Sequence, residues 1–234
     1  VRYFLVSVIL FLTVQTSLAF MPPDLIWKGP SNSPMVALTF DDGPKPESSQ
    51  KILDILTKYA VKATFFVVGR DAKEFPDIIM RMNEEGHEIG NHTFSHKNVS
   101  GMTVTSLKNE LKRTNEVIFD IIGKNPKYFR PPGGDYVFRS RYVASKCGLD
   151  QVNWSVNTGD FVKLTKEFDI DEDYAAAANM LADEVVRMTG CGDIILFHNG
   201  SEKTIRALPV IIERLKAQGF EFVTVSKLIA KGKS

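Results

Sequence analysis

From residue 35 onward, short apolar runs alternate with segments whose apolar positions recur every three to four residues. Residues 35–40, Met-Val-Ala-Leu-Thr-Phe, form the first run, and the segment 48–59 follows with Ile52, Leu53, Ile55 and Leu56 on a helical period. The β-rich run 63–68 precedes a helix predicted to start near Pro76 and to stop at Gly86. Residues 87–91 read as a third strand, and 104–122 as a long amphipathic helix stopped by Gly123. A brief strand at 128–130 runs into Pro131-Pro132. It is followed by a helix at 138–146, a strand at 149–155, an Ala-rich helix at 173–188 and a buried strand at 193–197. A helix at 205–218 closed by Gly219 and a strand at 221–225 complete the pattern. About seven strands alternating with helices predict an α/β fold with a mostly parallel sheet and outer helices. The strand count favours a closed or nearly closed barrel, with an open sheet as the alternative.

The first 34 residues break this pattern. Arg2 is followed by an apolar run from residue 3 to 14, and small residues then precede a cut after Ala19. That layout predicts a signal peptide over residues 1–19, with an uncleaved anchor as the alternative. Residues 20–34, rich in proline, read as an extended lead-in to one domain over residues 35–234. Export places the protein outside the cytoplasm, secreted or in the periplasm or cell envelope, with no stable membrane insertion unless the segment stays attached. It also permits a disulfide between Cys147 and Cys191, each just ahead of a predicted strand; two buried free thiols fit the sequence equally well.

Composition changes the picture only by exclusion. The chain has 29 basic and 28 acidic residues, and removing residues 1–19 takes away one basic residue. A balanced chain carries no electrostatic footprint for nucleic acid. An uncharged or mixed-charge partner is expected instead.

The chemistry lies in the polar residues that end the apolar strands. Asp41 and Asp42 follow the run 36–40 and precede Gly43-Pro44. Two adjacent carboxylates there repel each other, and a cation would relieve them, although Asp-Gly-Pro is also good turn chemistry. His92 and His96 stand four apart, a spacing that would put both imidazoles on one side of a helical turn. Two imidazoles and a carboxylate leave positions on a metal open, as catalysis requires. His198 ends the run 193–197 and suits proton transfer, or a satisfied core position. Asp160, near another strand end, can fix an imidazole tautomer or be a plain loop residue. Arg130 opens Arg130-Pro131-Pro132-Gly133-Gly134, where it can hold a buried carboxylate ionised or form a structural salt bridge.

In this order the segments resemble the polysaccharide deacetylases of carbohydrate esterase family four, the NodB-homology group. Thr39-Phe40-Asp41-Asp42-Gly43-Pro44 is similar to the family's first motif, His92-Thr93-Phe94-Ser95-His96 to the second and Arg130-Pro131-Pro132-Gly133-Gly134 to the third. The resemblance spans residues 35–229 and implies a deformed (β/α) barrel. It implies that Asp42, His92 and His96 hold a divalent metal, usually zinc, with cobalt or another divalent ion accepted in related enzymes. Asp41 would be the general base, oriented by Arg130, and His198 the general acid, supported by Asp160. The backbone N–H of Gly133 would face the oxyanion, and Trp154 with Leu196 would line the acetyl pocket. The implied substrate is an N-acetylated glycan: peptidoglycan or another envelope polymer first, chitooligosaccharide second. Three departures stand out: Phe161 follows Asp160 where the family usually has Trp, Asn199 follows His198 where Asp is frequent, and Gly133 replaces a bulkier residue. Non-haem iron oxygenases share the two-histidine, one-carboxylate set, but they have no use for an acid and a base flanking the metal. A binding module with a dead site would be expected to have lost Asp41, His198 or a ligand.

Overall fold

A computed structural model describes residues 25–160 and 170–230. Eight strands appear in the order β1 Met35–Gly43, β2 Thr64–Val67, β3 Glu88–Asn91, β4 Tyr128–Phe129, β5 Asp150–Gln151, β6 Val156–Asn157, β7 Ile194–His198 and β8 Glu221–Phe222. The helices are α1 Pro46–Lys58, α2 Gly69–Glu74, α3 Pro76–Glu84, α4 Val104–Ile122, α5 Phe138–Lys146, α6 Ile170–Met188, α7 Glu202–Ala217 and α8 Val225–Ala230. Every pairing between strands is parallel, in the order β5-β4-β3-β2-β1-β7-β6, and β8 pairs with the first residues of β1.

The predicted strand 149–155 is where this order deviates from the reading. Its start, β5, lies on β4, whereas the chain immediately beyond it, β6, lies on β7 at the other edge of the sheet. One continuous segment therefore joins both edges and bends the sheet into a deformed barrel. Residues 152–155 cross between neighbours and cannot hold one ladder throughout. The lead-in fills the opening this leaves: Ile26 bridges to Val152 and Lys28 to Asp193. The Lys28 ammonium also pairs with the Asp193 carboxylate at 2.7 Å.

β1 is buried along nearly its whole length, as a strand with sheet neighbours on both edges and helices outside must be. Its outward side chains Val36, Leu38 and Phe40 join one cluster with Leu53, Leu56, Ile211 and Leu215 from α1 and α7. Phe40 is the centre of a ring stack, with centroids 5.2 Å from Phe65 and 5.6 Å from Phe197. The helix over 104–122 matches the pattern to the residue, capped by the Thr103 hydroxyl and ended by Gly123 at φ 67°. Two short helices escaped the reading, α2 and α8, because six residues are too few to display a period. The strand predicted over 221–225 stops at Phe222, and α8 begins at Val225. Cys147 and Cys191 are free thiols, so no disulfide ties their strands. The predicted signal segment and Phe161 lie outside the described residues.

Candidate metal centre and active site

Asp41 and Asp42 sit within β1, whose pairing with β7 runs to Asp41 opposite His198. Side chains alternate along a strand, so Thr39 and Asp41 share the face that Leu196 and His198 present from β7. Asp42 takes a left-handed backbone, φ 68°, which turns its carboxylate out of that alternation.

His92 and His96 follow β3, but not on a helical turn. The segment between them is irregular, with Thr93 at φ 67° and His96 at φ 56°. Left-handed residues reverse the chain, and the two rings end with centroids 5.0 Å apart. His92 Nδ1 lies 2.7 Å from the Arg130 carbonyl oxygen. A carbonyl can only accept, so Nδ1 carries the proton and Nε2 is left with a free lone pair. That Nε2 lies 3.3 Å from Asp42 Oδ1, and His96 Nε2 lies 2.8 Å from the same oxygen. Burial opposes ionisation of Asp42, yet the two imidazoles, wherever Nε2 carries a proton in place of a cation, hold its carboxyl far below the ordinary range by hydrogen bonding and charge.

Asp42, His92 and His96 each offer a ligand atom within 4.8 Å of the others. Three converging lone-pair donors, two of them imidazole nitrogens, fit a borderline-soft divalent cation and leave part of its coordination sphere open.

Arg130 is fully buried beneath this cluster. Its Nη1 donates to Asp41 Oδ1 and to Thr39 Oγ1, both at 2.8 Å, while Nε and Nη2 donate to the Val152 and Asn153 carbonyls at 3.2 and 2.7 Å. The guanidinium also lies 4.1 Å from the Phe66 ring centroid. Burial lowers its pKa and Asp41 works against that fall. Buried charges of this kind persist only when paired and hydrogen-bonded, as both are here.

Across β1 the arrangement is mirrored by a second ion pair. His198 Nδ1 lies 2.7 Å from Asp160 Oδ1, and the other Asp160 oxygen accepts the His198 backbone N–H at 2.8 Å and the Thr204 hydroxyl. Burial would lower the His198 pKa, but Asp160, with Asp41 and Asp42 adding charge, raises it. Gly133 stands at φ 72° with nothing within 4 Å of where a Cβ would project, so the surface above it is open. A Cβ on Gly134 would instead come within 2.4 Å of Trp154, so only glycine lets that ring close against the turn. Leu196 is buried and Trp154 half-buried.

The residues singled out in the sequence lie towards the carboxyl ends of the strands, and further side chains support them there. Thr39 was legible, two residues before Asp41 on the same face. Asn91, Glu110, Asn153 and Thr204 carry no local signal; each acts through a partner remote in sequence or through the backbone. Asn199 is buried, its Oδ1 accepting from the Ser48 and Ser49 hydroxyls at 3.1 Å, so it ties the β7 end to α1.

An α/β barrel with a potential cation site and two ion pairs at the carboxyl ends of its strands is the architecture of a metal-dependent hydrolase. The polysaccharide deacetylase profile matches residues 28–152, and the chain belongs to that family. It is 36% identical to a Bacillus cereus peptidoglycan-N-acetylglucosamine deacetylase over 87% of this chain and 92% of that one. It is 34% identical to the Bacillus subtilis peptidoglycan-N-acetylmuramic acid deacetylase PdaC over 84% of this chain and 39% of that protein. Among solved structures, the Bc1960 peptidoglycan N-acetylglucosamine deacetylase superposes with a TM-score of 0.80 at 36% identity, covering 88% of this chain and 92% of that one. A Bacillus anthracis protein, BA3943, described as a family pseudoenzyme, superposes with a TM-score of 0.79 at 29% identity, over 88% and 69% of the two chains. Fold alone therefore leaves activity to the side chains. No helix among the described residues is long and apolar enough to cross a membrane.

Proposed function

We propose that the protein removes N-acetyl groups from N-acetylglucosamine-type sugars in peptidoglycan or a similar cell-envelope glycan. The observation that carries this reading is the pair of ion-paired groups, Asp41 with Arg130 and His198 with Asp160, held in register on β1 and β7 beside the Asp42, His92 and His96 cluster. Relatives that act on peptidoglycan support the choice of polymer. Chitooligosaccharide is the second candidate substrate.

Asp42, His92 and His96 would hold the divalent cation, for which we propose zinc, cobalt or another divalent ion being able to replace it. When bound, such a cation supplies Lewis-acid polarisation and lowers the pKa of water. Asp41 takes a proton from the attacking water, and Arg130 keeps that carboxylate ionised and aimed. The backbone N–H of Gly133 donates to the oxygen on which negative charge gathers. His198 gives a proton from Nε2 to the departing nitrogen, while Asp160 holds Nδ1 and supports the imidazolium. The C–N bond breaks, a C–O bond has formed, and acetate and a free amine leave. Trp154 and Leu196 line the place of the acetyl methyl. Residues 1–19 serve as the export signal in this reading, and the site works in the envelope.

Acetate release from N-acetylglucosamine oligomers, peptidoglycan and xylan tests the proposal. Asp41→Asn should retain bound metal and lose at least about 100-fold in turnover. Full activity in that variant would remove Asp41 as the base.

A further inference from the structure

The segment that carries both histidines is held in an unfavourable shape. Thr93, a β-branched residue, and His96 both stand at positive φ, where a side chain meets the backbone. Such residues persist only where their surroundings over-determine them. The Thr93 N–H donates to Asn91 Oδ1 at 2.8 Å, and the His96 N–H to Thr93 Oγ1 at 3.1 Å. The Thr93 and Phe94 carbonyls accept from the backbone N–H groups of Gly69 and Arg70 in the first turn of α2. These contacts leave the two central N–H groups, of Phe94 and Ser95, to be satisfied from elsewhere.

Glu110, in the second turn of α4, satisfies both. Its Oε2 accepts from Phe94 N at 2.9 Å, from Ser95 N at 2.7 Å and from Ser95 Oγ at 3.0 Å. A carboxylate oxygen taking three donors makes charge-assisted bonds, which are stronger than neutral ones. The helix behind it is fixed as well. Arg113 lies 3.6 Å from the Phe94 ring centroid, Leu107 and Leu111 are fully buried, and Leu111 and Asn115 bind Asn91 of β3. Glu110 is thus anchored to the same helix that steadies the strand before the segment.

We infer that Glu110 is a positioning residue for the metal centre: it sets the separation of His92 and His96 by clamping the two peptide groups between them, and touches neither ligand nor substrate. This rests on the proposal that those histidines hold the cation. Groups that orient metal ligands are typically worth 10- to 100-fold in metal affinity. A fault in the clamp should therefore appear as lost affinity and altered coordination geometry, and turnover should recover when metal is saturating.

The test uses the full chain, metal-free and reloaded, as wild type, Glu110→Ala, Glu110→Gln and Asp42→Asn. Zinc affinity is read by competition with a chromogenic chelator, and geometry by the visible absorption of the Co2+-loaded protein. Glu110→Ala should bind zinc about 10- to 100-fold more weakly and shift the cobalt spectrum, whereas Glu110→Gln, which keeps an acceptor oxygen, should recover most of both. Wild-type zinc affinity and an unshifted cobalt spectrum in Glu110→Ala would overturn the inference. Should Glu110→Ala fail to fold, Glu110→Asp is added and decides: one methylene shorter, its carboxylate falls short of both peptide N–H groups, so a loss of zinc affinity of about 10-fold or more with a shifted cobalt band upholds the clamp, and wild-type affinity with an unshifted band overturns it. Asp42→Asn separates the two claims. If it leaves zinc affinity unchanged, the three-residue site is wrong; if it weakens zinc and Glu110→Ala does not, only the clamp is wrong.

Discussion

The strand β3 has a histidine at each end, and the two have nothing in common but their chemistry. His87 enters the strand at the amino end of the barrel, and His92 leaves it at the carboxyl end. His87 Nδ1 accepts the Ala63 backbone N–H at 3.1 Å, and its ring meets Phe65 edge-on with centroids 5.4 Å apart. Its Nε2 lies 3.6 Å from Glu85 Oε2, too far for a hydrogen bond. Burial, with the charge of Lys62, pushes its pKa down to about 4. His198, at the carboxyl end of β7, is shifted the other way by Asp160. The amino end packs its imidazole as a neutral ring with one acceptor. The carboxyl end surrounds its imidazoles with carboxylates. A histidine therefore reads as functional or structural by the strand end it occupies, since parallel strands splay into loops that can carry charge there.

Exchange of function for stability at the two ends is the sharpest way to break this contrast. His198→Ala should cut turnover by about 100- to 10,000-fold, as loss of a general acid does, and shift the melting temperature little. His87→Asn, which keeps an acceptor near Nδ1, should leave turnover within about two-fold, an order-of-magnitude allowance for a packing change remote from the site. Acetate release and thermal melts on the same preparations decide. If His87→Asn loses activity as His198→Ala does, strand end carries no meaning here.

Arg130 blurs the contrast, because it serves the carboxyl end while being wholly buried in the barrel. Its four hydrogen bonds reach β1 and the crossing residues 152–153, so it joins the sheet's closing segment to the face that carries Thr39 and Asp41. Arg130→Met should leave Asp41 buried without its partner and cost about 3–5 kcal/mol of stability at neutral pH. Denaturant unfolding of the metal-free protein measures it. A loss below about 1 kcal/mol would mean that Asp41 finds water or another donor and that the pair matters for orientation alone.

Much of this was legible along the chain. Apolar runs 36–40 and 194–197 end abruptly in Asp41 and His198, and a run that stops on a charge marks a strand end whatever the fold. Arg130 was legible too, though not its burial. What escaped was non-local or conformational. The split of residues 150–157 between two neighbours is fixed by barrel closure, and the pairing of Ile26 and Lys28 follows from it. The four-residue spacing of His92 and His96 suggested a helical turn. It is met instead by two left-handed residues, and the Glu110 that steadies them is 14 positions past His96. Spacing constrains which side chains can meet, but not the backbone path that brings them together.

The smallest effect lies at the quiet end. An unfolded chain takes up a proton on His87 near its ordinary pKa, 6.5, while the folded protein resists until about 4. Because the folded pKa is depressed, this residue's contribution is complete above pH 6.5 and is lost as pH falls towards 4, where it levels off. The loss is roughly 3 kcal/mol at most. Protonation would also sacrifice the bond from Ala63, since Nδ1 could no longer accept. Carboxylates titrate in the same window, so the comparison is between slopes. His87→Asn keeps an acceptor but does not titrate, and its stability should fall less steeply than that of the wild type between pH 6.5 and 4. Parallel slopes by urea unfolding would mean that His87 is protonated in the folded state across this range. The two ends of the barrel would then differ in which partners their histidines have, and not in the charge those histidines carry.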